Sequence, residues 1–185
     1  MRRTVKRLLL AVVFALPALA VTVADVNMEN SVAVGGQTLV LNGAGIRKKF
    51  FIKVYVGGLY LPAKQANAAA ILSSDGPRRQ VMHFLYGVSK DQMCDAWHEG
   101  LEDNTKNPSA DVKAAFKTLC SWMEPIPKGN RLILTYVPGT GTTVEINGKV
   151  KGVLPGKATS DAILSTWIGP KPGPGEDFKN AVLGK

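Results

Sequence analysis

The sequence predicts an α+β fold, in which a large antiparallel β-sheet carries a layer of α-helices on one face. Strand-like segments dominate residues 31–86 and return at 131–156. Between them, at residues 89–123, the apolar spacing changes to the helical period of 3.6. Because strands and helices come in blocks rather than in strict alternation, the pattern favours an antiparallel sheet covered by helices over a doubly wound parallel sheet.

The sheet is predicted to begin with a tight hairpin at residues 31–41, which turns at Gly35-Gly36. Residues 50–61, FFIKVYVGGLYL, are typical of a strand because aromatic and β-branched residues dominate them. A short helix at 65–74 and a strand at 79–86 are predicted next.

A helical hairpin is predicted in the middle of the chain. Ser89 is a suitable N-cap for a helix over 89–104, and Gln92 stands at the capping-box spacing. Asn107-Pro108 provides a turn before a second helix over 108–123.

The two cysteines would face each other in such a hairpin. Cys94 lies about 12 residues before the centre of the turn and Cys120 about 14 after it, so that they are nearly level. A disulfide between them would close a loop of about 25 residues and contribute about 3 kcal/mol in the chain-entropy model. The alternative is a pair of buried, unpaired thiols.

The C-terminal part returns to strands and then to helices. Asn147-Gly148 predicts a type I′ hairpin within residues 141–156, beside a strand at 131–138. A helix is predicted at 159–169, capped by Thr159 or Ser160 and ended by Gly169. The Gly- and Pro-rich residues 169–178 predict a surface loop before a last short helix.

The N-terminus has the three parts of a secretory signal peptide. Four basic residues within the first seven precede an apolar run that is too short for a membrane span and ends in Ala18-Leu19-Ala20. We therefore expect a signal peptide at 1–20, with cleavage after 24 as a second candidate, and one domain at 21–185 in a periplasmic or secreted protein. An uncleaved anchor is the alternative.

Composition and motifs exclude several functions. Without the four leader cations, 19 basic residues face 14 acidic ones, a net charge of about +5, and neither a basic helix face nor an aromatic RNA-binding signature is present. Gly43-Ala44-Gly45 lacks the third glycine of a dinucleotide site, and Cys94 with His98 is only half of a metal site. We expect no nucleic-acid partner, no cofactor and no metal.

Arg47 is the strongest candidate for a binding residue. A guanidinium binds carboxylates through two parallel hydrogen bonds and keeps its charge. Apolar and amphipathic residues follow it, and they could line an apolar cavity with one polar end, as an amphipathic anion requires: Phe50, Phe51, Ile52, Val54, Tyr55 and Tyr60. The alternative is that Arg47 is a solvated charge at the end of a hairpin.

Two segments identify a family. NGAGIR…FIKVYVGGLYL and AILSTWIG resemble the glycine-rich opening segment and the late helix of the chalcone isomerase family, and most resemble its secreted bacterial chalcone-isomerase-like members. The resemblance spans nearly the whole mature chain. It implies a large antiparallel sheet with one helical layer, in agreement with the pattern above.

The resemblance also implies roles for particular residues. In the plant enzymes, which close a chalcone to a flavanone, the arginine that Arg47 matches stabilises the attacking phenolate, and the late-helix threonine that Thr166 matches touches substrate, with Ser165 beside it. Tyr55 replaces the enzymes' strand threonine, and the position of their helical tyrosine falls near Asn104. Fatty-acid-binding members pair the arginine with a tyrosine at this strand position, as Arg47 and Tyr55 would do.

These two residues can share a ligand only if the chain turns between them. Eight residues on one straight strand span about 26 Å. A turn at Phe50-Phe51 would bring Arg47 beside Tyr55, although two phenylalanines are poor turn residues. A turn at Lys48-Lys49 has better local chemistry but separates the pair.

The first interpretation is an exported, non-catalytic protein that binds a small amphipathic anion, for example a fatty acid. Arg47 anchors the anion, Tyr55 donates a hydrogen bond to it, and Ser165 and Thr166 line the cavity. The second is an isomerase or cyclase that acts on a phenolic or enone substrate through Arg47 and Thr166. The third is a structural or interaction protein with a filled core.

Overall fold

A computed structural model of the chain describes residues 20–185. The predicted signal peptide at 1–20 therefore lies outside the described residues except for Ala20. The described elements, in chain order, are β1 (Ala20–Val23), β2 (Val26–Glu29), β3 (Ser31–Val34), β4 (Gln37–Lys49), β5 (Ile52–Leu61), α1 (Ala68–Ser73), β6 (Arg78–Phe84), α2 (Lys90–Asn104), α3 (Ala110–Trp122), β7 (Arg131–Val137), β8 (Gly141–Ile146), β9 (Lys149–Leu154), α4 (Lys157–Ile168) and α5 (Glu176–Val182).

The predicted α+β class is confirmed. Strands β3 to β9 form one seven-stranded sheet whose spatial order is the chain order, and every neighbouring pair is antiparallel. One large apolar core joins a face of this sheet to the helices. Alternate residues of β7, such as Leu132 and Leu134, point into this core, as the two-residue period of a half-buried strand requires.

The opposite face of the sheet has a smaller core under the β1–β2 hairpin. Val26 and Met28 pack there against Leu39, Val56 and neighbouring residues. This hairpin was not predicted, because residues 20–24 were interpreted only as cleavage candidates. Ala24 lies in its turn, so that cleavage after Ala24 would remove β1 and leave β2 without its partner. The cleavage position stays a prediction.

The predicted helical hairpin is confirmed in detail. Ser89 Oγ accepts a hydrogen bond from the Gln92 amide (3.2 Å), and Gln92 Oε1 accepts one from the Ser89 amide (2.9 Å), which completes the capping box. Cys94 and Cys120 form a disulfide with 5.2 Å between their Cα atoms. The bond joins α2 to α3, and the alternative of two free thiols is wrong.

The predicted cap of the late helix, Thr159 or Ser160, is wrong, because both residues lie inside the helix. Helix α4 begins at Lys157 after Gly156, whose φ of +84° ends the preceding extended segment. The predicted cap Ser160 lies inside the helix, where its hydroxyl accepts hydrogen bonds from the buried Arg78. The predicted end at Gly169 is confirmed, since its amide donates to the Ser165 carbonyl (2.8 Å).

The glycines of β4 and β5 allow the last helix to approach the sheet. A Cβ at Gly43 would collide with the Ala181 carbonyl oxygen, and a Cβ at Gly57 would lie 2.5 Å from Phe178 Cζ. Glycine in a strand often marks such a close approach. The Gly-Ala-Gly segment therefore provides a docking surface for α5 rather than a nucleotide-binding turn.

Candidate binding cavity

The β4–β5 hairpin places Arg47 directly opposite Tyr55. The register pairs Arg47 with Tyr55, Lys48 with Lys53 and Lys49 with Ile52. The turn therefore lies at Phe50-Phe51, and the alternative at Lys48-Lys49 is wrong. A bulge leaves Val54 as the extra residue between Tyr55 and Lys53, as often happens near binding sites.

A cavity of about 370 Å³ lies between this hairpin, α2, α4 and the loop before α5. Small-molecule sites usually range from about 300 to 1,000 Å³, so that the space suits a ligand of modest size. Most of its wall is apolar or aromatic. The lining residues are Arg47, Lys49, Phe50, Ile52, Val54, Tyr55, Met82, Phe84, Tyr86, Val88, Gln92, Met93, Ala96, Trp97, Thr166, Trp167, Gly173 and Pro174.

Arg47 lies on the cavity wall without an acidic partner. Its side chain is half-buried, and its Cζ atom is 6.0 Å from the centroid of the Tyr55 ring. Within residues 20–185 it forms no salt bridge, and the cavity lining of this part of the chain contains no aspartate or glutamate. Lys49 adds a second positive charge. The cavity therefore combines an apolar wall with uncompensated positive charge.

Tyr55 is a buried tyrosine in an aromatic cluster. Its ring centroid is 5.5 Å from that of Phe84, 5.8 Å from that of Phe178 and 6.2 Å from that of Trp167. Burial raises the pKa of Tyr55 above its usual 10, while the charge and hydrogen-bonding groups of Arg47 and the Trp167 side chain partly oppose this. Tyr55 consequently keeps its proton at neutral pH and can act as a hydrogen-bond donor.

Of the other polar residues predicted for the site, only Thr166 lines the cavity. Thr166 lies on the cavity wall, where its hydroxyl donates to the Ile163 carbonyl oxygen (2.8 Å). Ser165 is buried, but it is not among the lining residues, and its hydroxyl donates to the Ala162 carbonyl oxygen (2.8 Å). Asn104 is not among the lining residues either, and its amide nitrogen donates to the Lys171 carbonyl oxygen (2.8 Å).

Two of the aromatic residues that were expected around the cavity lie elsewhere. Tyr60 is buried in the smaller core on the opposite face of the sheet. It follows Tyr55 by an odd number of residues, and side chains alternate along a strand. Phe51 is 94% exposed and does not line the cavity.

Sequence reasoning missed the tryptophans that close the cavity. Trp97 of α2 and Trp167 of α4 face Arg47 and Tyr55 from the helical layer. The Trp97 indole nitrogen is buried without a hydrogen-bond partner in the described part of the chain. Trp97 lies four residues from both Met93 and Leu101, so these apolar residues share one face of the predicted first helix. This spacing indicates that Trp97 is buried, but it does not indicate the cavity beside it.

Fold and site together define a class: a one-layered antiparallel sheet with helices on one face that enclose an apolar cavity with a cationic wall. The sequence places the chain in a family of this class. The chalcone isomerase-like family model matches residues 20–184, and the protein belongs to that family. No curated protein matches the sequence at a significant level.

A solved structure shares the whole architecture. The crystal structure of a fatty-acid binding protein of Arabidopsis thaliana is similar to this chain with a TM-score of 0.70 and 17% sequence identity. The match covers 90% of this chain and 97% of the other. At this identity the likeness concerns the fold. Among residues 20–185, none of the helices is both long enough and apolar enough to cross a bilayer.

Proposed function

We propose that this protein binds a small amphipathic anion, for example a fatty acid, in the cavity beside Arg47. The observation that carries the proposal is the arginine itself, which lies on a largely apolar wall and has no acidic partner within the described residues. Placing a cation against apolar surface is costly unless a counter-charge joins it. A ligand with a carboxylate and an apolar body would supply that charge.

Tyr55 is the proposed second contact of the anion. It lies opposite Arg47 across the hairpin and keeps its proton, so that it can donate to an oxygen that the guanidinium also binds. Thr166 is proposed only as polar lining, because its own proton is directed to the Ile163 carbonyl and is not donated to the carboxylate. Ser165 is withdrawn as a contact, because it lies off the cavity wall.

The family fold supports an apolar ligand. A fatty-acid binding protein has the same architecture. The cavity of about 370 Å³ also argues against a core filled by the protein's own side chains. We further propose that the protein acts in the periplasm or outside the cell, where a disulfide such as Cys94–Cys120 persists.

An isomerase or cyclase is the second candidate, because Arg47 and Thr166 share one cavity. Oxyanion stabilisation needs several preorganised donors. The Thr166 hydroxyl already donates to a backbone carbonyl, which leaves Arg47 and Tyr55 as donors. Turnover of a chalcone, followed by its absorbance and abolished by Arg47→Met, would establish catalysis in place of simple binding.

Native mass spectrometry of protein purified from the periplasm, followed by solvent extraction, tests binding. We expect a stoichiometric amphipathic anion on the wild type. In titrations with a long-chain fatty acid, Arg47→Met should weaken binding by roughly ten- to a hundredfold, the value of a charge-assisted hydrogen bond. Arg131→Met is the matched control, because Arg131 is exposed and is not among the residues that line the cavity.

The methyl ester of the same fatty acid separates charge from apolar contact. It should bind the wild type and Arg47→Met with similar affinity, because it has no carboxylate for the guanidinium to pair with. If Arg47→Met binds the acid as tightly as the wild type does, Arg47 is not the anchor and the proposal is wrong.

A further inference from the structure

The tip of the β4–β5 hairpin exposes large apolar side chains, and its two phenylalanines contact little of the chain itself. Phe50 is 86% exposed, Phe51 94% and Ile52 38%. Tyr86, which is 55% exposed, lines the same cavity mouth as Phe50 and Ile52. Single exposed apolar residues are ordinary, but a contiguous group at one protrusion indicates an interaction site.

The turn chemistry shows that these phenylalanines do not serve the hairpin. Phe50 has a φ of +56°, a conformation that is unfavourable for a bulky side chain and that glycine adopts readily. Two-residue hairpin turns favour glycine, asparagine and aspartate. The two phenylalanines therefore destabilise the turn and gain little packing within the folded chain. We infer that they interact with a molecule outside the chain.

Basic residues flank the apolar tip. Lys48 and Lys49 precede the two phenylalanines and Lys53 follows them, and all three lysines are exposed. The segment 46–54 contains no acidic residue. Apolar side chains flanked by lysines are suited to insertion into an anionic bilayer. The apolar groups enter the boundary between headgroups and acyl chains, and the lysines contact the anionic headgroups.

We propose that the Phe50-Phe51 tip docks the protein on an anionic lipid bilayer. The two phenylalanines and Ile52 enter the interface, and the three lysines contact lipid phosphates. A protein partner fits less well, because a two-residue turn is a narrow protrusion, whereas stable protein interfaces bury about 800 Å² on each side.

Docking in this orientation also directs the cavity mouth to the lipid. Lys49, Phe50, Ile52 and Tyr86 belong both to the tip region and to the cavity wall. Arg47 lies two residues further along β4. An amphipathic anion could pass between the bilayer and the cavity along this wall. The docking itself does not depend on the proposed ligand, because it is measured as binding to vesicles.

Flotation with vesicles of phosphatidylcholine containing about a third phosphatidylglycerol tests the proposal, on protein expressed from the full coding sequence. The variant Phe50→Gly/Phe51→Ser removes the apolar tip and installs a pair favoured in hairpin turns, so that it should fold at least as well. We expect its partition coefficient to fall about tenfold or more. The control Val150→Ser/Val153→Ser removes two exposed apolar side chains of β9 and should bind like the wild type.

Charge is tested separately by replacing Lys48, Lys49 and Lys53 with glutamine. Each lysine near an anionic surface should contribute about fivefold, so that binding to these vesicles should fall by roughly a hundredfold and become independent of phosphatidylglycerol. Equal flotation of wild type and the Phe50→Gly/Phe51→Ser variant would overturn the proposal. Absence of wild-type flotation would also overturn it and would leave a protein as the occupant of the tip.

Discussion

Two arginine–tyrosine pairs lie across neighbouring strands of the same sheet, and they differ in what completes them. Arg47 pairs with Tyr55 between β4 and β5, and Arg78 pairs with Tyr136 between β6 and β7. The guanidinium carbon lies 6.0 Å from the ring centroid in the first pair and 5.0 Å in the second. The local geometry is similar, so the difference in role comes from the surrounding residues.

Arg78 has its counter-charge within the chain. Its Nη2 atom donates to Asp161 Oδ1 (2.5 Å) and to Ser160 Oγ (2.7 Å). Asp161 also pairs with Lys157 (2.6 Å), and Tyr136 donates to Asp75 (2.6 Å). Arg47 has no such carboxylate within residues 20–185. An arginine that pairs with a carboxylate of its own chain stabilises the fold. An arginine without such a carboxylate is available to bind an anionic ligand.

The largest expected effect is on folding and comes from Arg78→Met. Removing one partner of a buried ion pair costs about 3–5 kcal/mol. In the variant, Asp161 still forms its salt bridge with Lys157, and its side chain is 29% exposed. We therefore expect the free energy of unfolding to fall by about 3 kcal/mol, the lower limit of that range. Urea-induced unfolding followed by circular dichroism measures it.

Arg47→Met is the matched variant for this measurement. It removes a cation that has no salt bridge in the described chain, so the free energy of unfolding should stay within about 0.5 kcal/mol of the wild type. Equal losses in the two variants would mean that Arg47 is structural as well, and the comparison would fail.

Tyr136→Phe should have the next largest effect. The Tyr136 hydroxyl donates to a carboxylate, and burial together with the hydrogen bond and charge of Asp75 raises the pKa of Tyr136 to about 12. Loss of this bond should lower the free energy of unfolding by about 1.5 kcal/mol at pH 7. A raised pKa means that the contribution is present below pH 10 and is lost as the pH rises towards 12. The difference between wild type and variant should therefore shrink over that range.

Tyr55→Phe should show the opposite pattern to Tyr136→Phe, with an effect on ligand binding rather than on stability. We expect little change in the free energy of unfolding, but roughly tenfold weaker binding of a long-chain fatty acid, because a hydrogen bond to the charged carboxylate is lost. Isothermal titration calorimetry with the acid and its methyl ester separates the two contributions. If affinity for the acid is unchanged while stability falls, Tyr55 is a core residue only.

The sequence was sufficient for the class of fold because local rules agreed with the final structure. The capping box at Ser89 and the turn at Asn147-Gly148 depend on neighbours in sequence, and the structure forms both. The turn at Phe50-Phe51 was ambiguous, because the residues that favour a turn and the register that the sheet imposes disagree there. Strand register, which also decides that Tyr55 faces the cavity, depends on contacts distant in sequence.

The hairpin side of the candidate site was largely predictable, since these expected residues lie on the cavity wall: Arg47, Phe50, Ile52, Val54 and Tyr55. The walls contributed by Trp97 and Trp167 depend on how two helices pack on the sheet. Ser165 and Thr166 are adjacent on α4, yet only Thr166 lies on the cavity wall. Successive residues of a helix point about 100° apart, and the sequence does not specify which of the two faces the cavity.

The smallest expected effect is the response of ligand binding to pH between 7 and 9. Guanidinium groups in proteins keep their charge throughout this range. Tyr55, whose pKa is raised above 10 by burial, stays protonated, and a carboxylate ligand is ionised well above its pKa of about 4. Affinity for a fatty acid should therefore be constant from pH 7 to 9 and fall only near pH 4, as the ligand loses its charge. Calorimetric titrations at pH 7, 8 and 9 measure this. A marked fall within that range would mean that a group other than Arg47 and Tyr55 holds the anion.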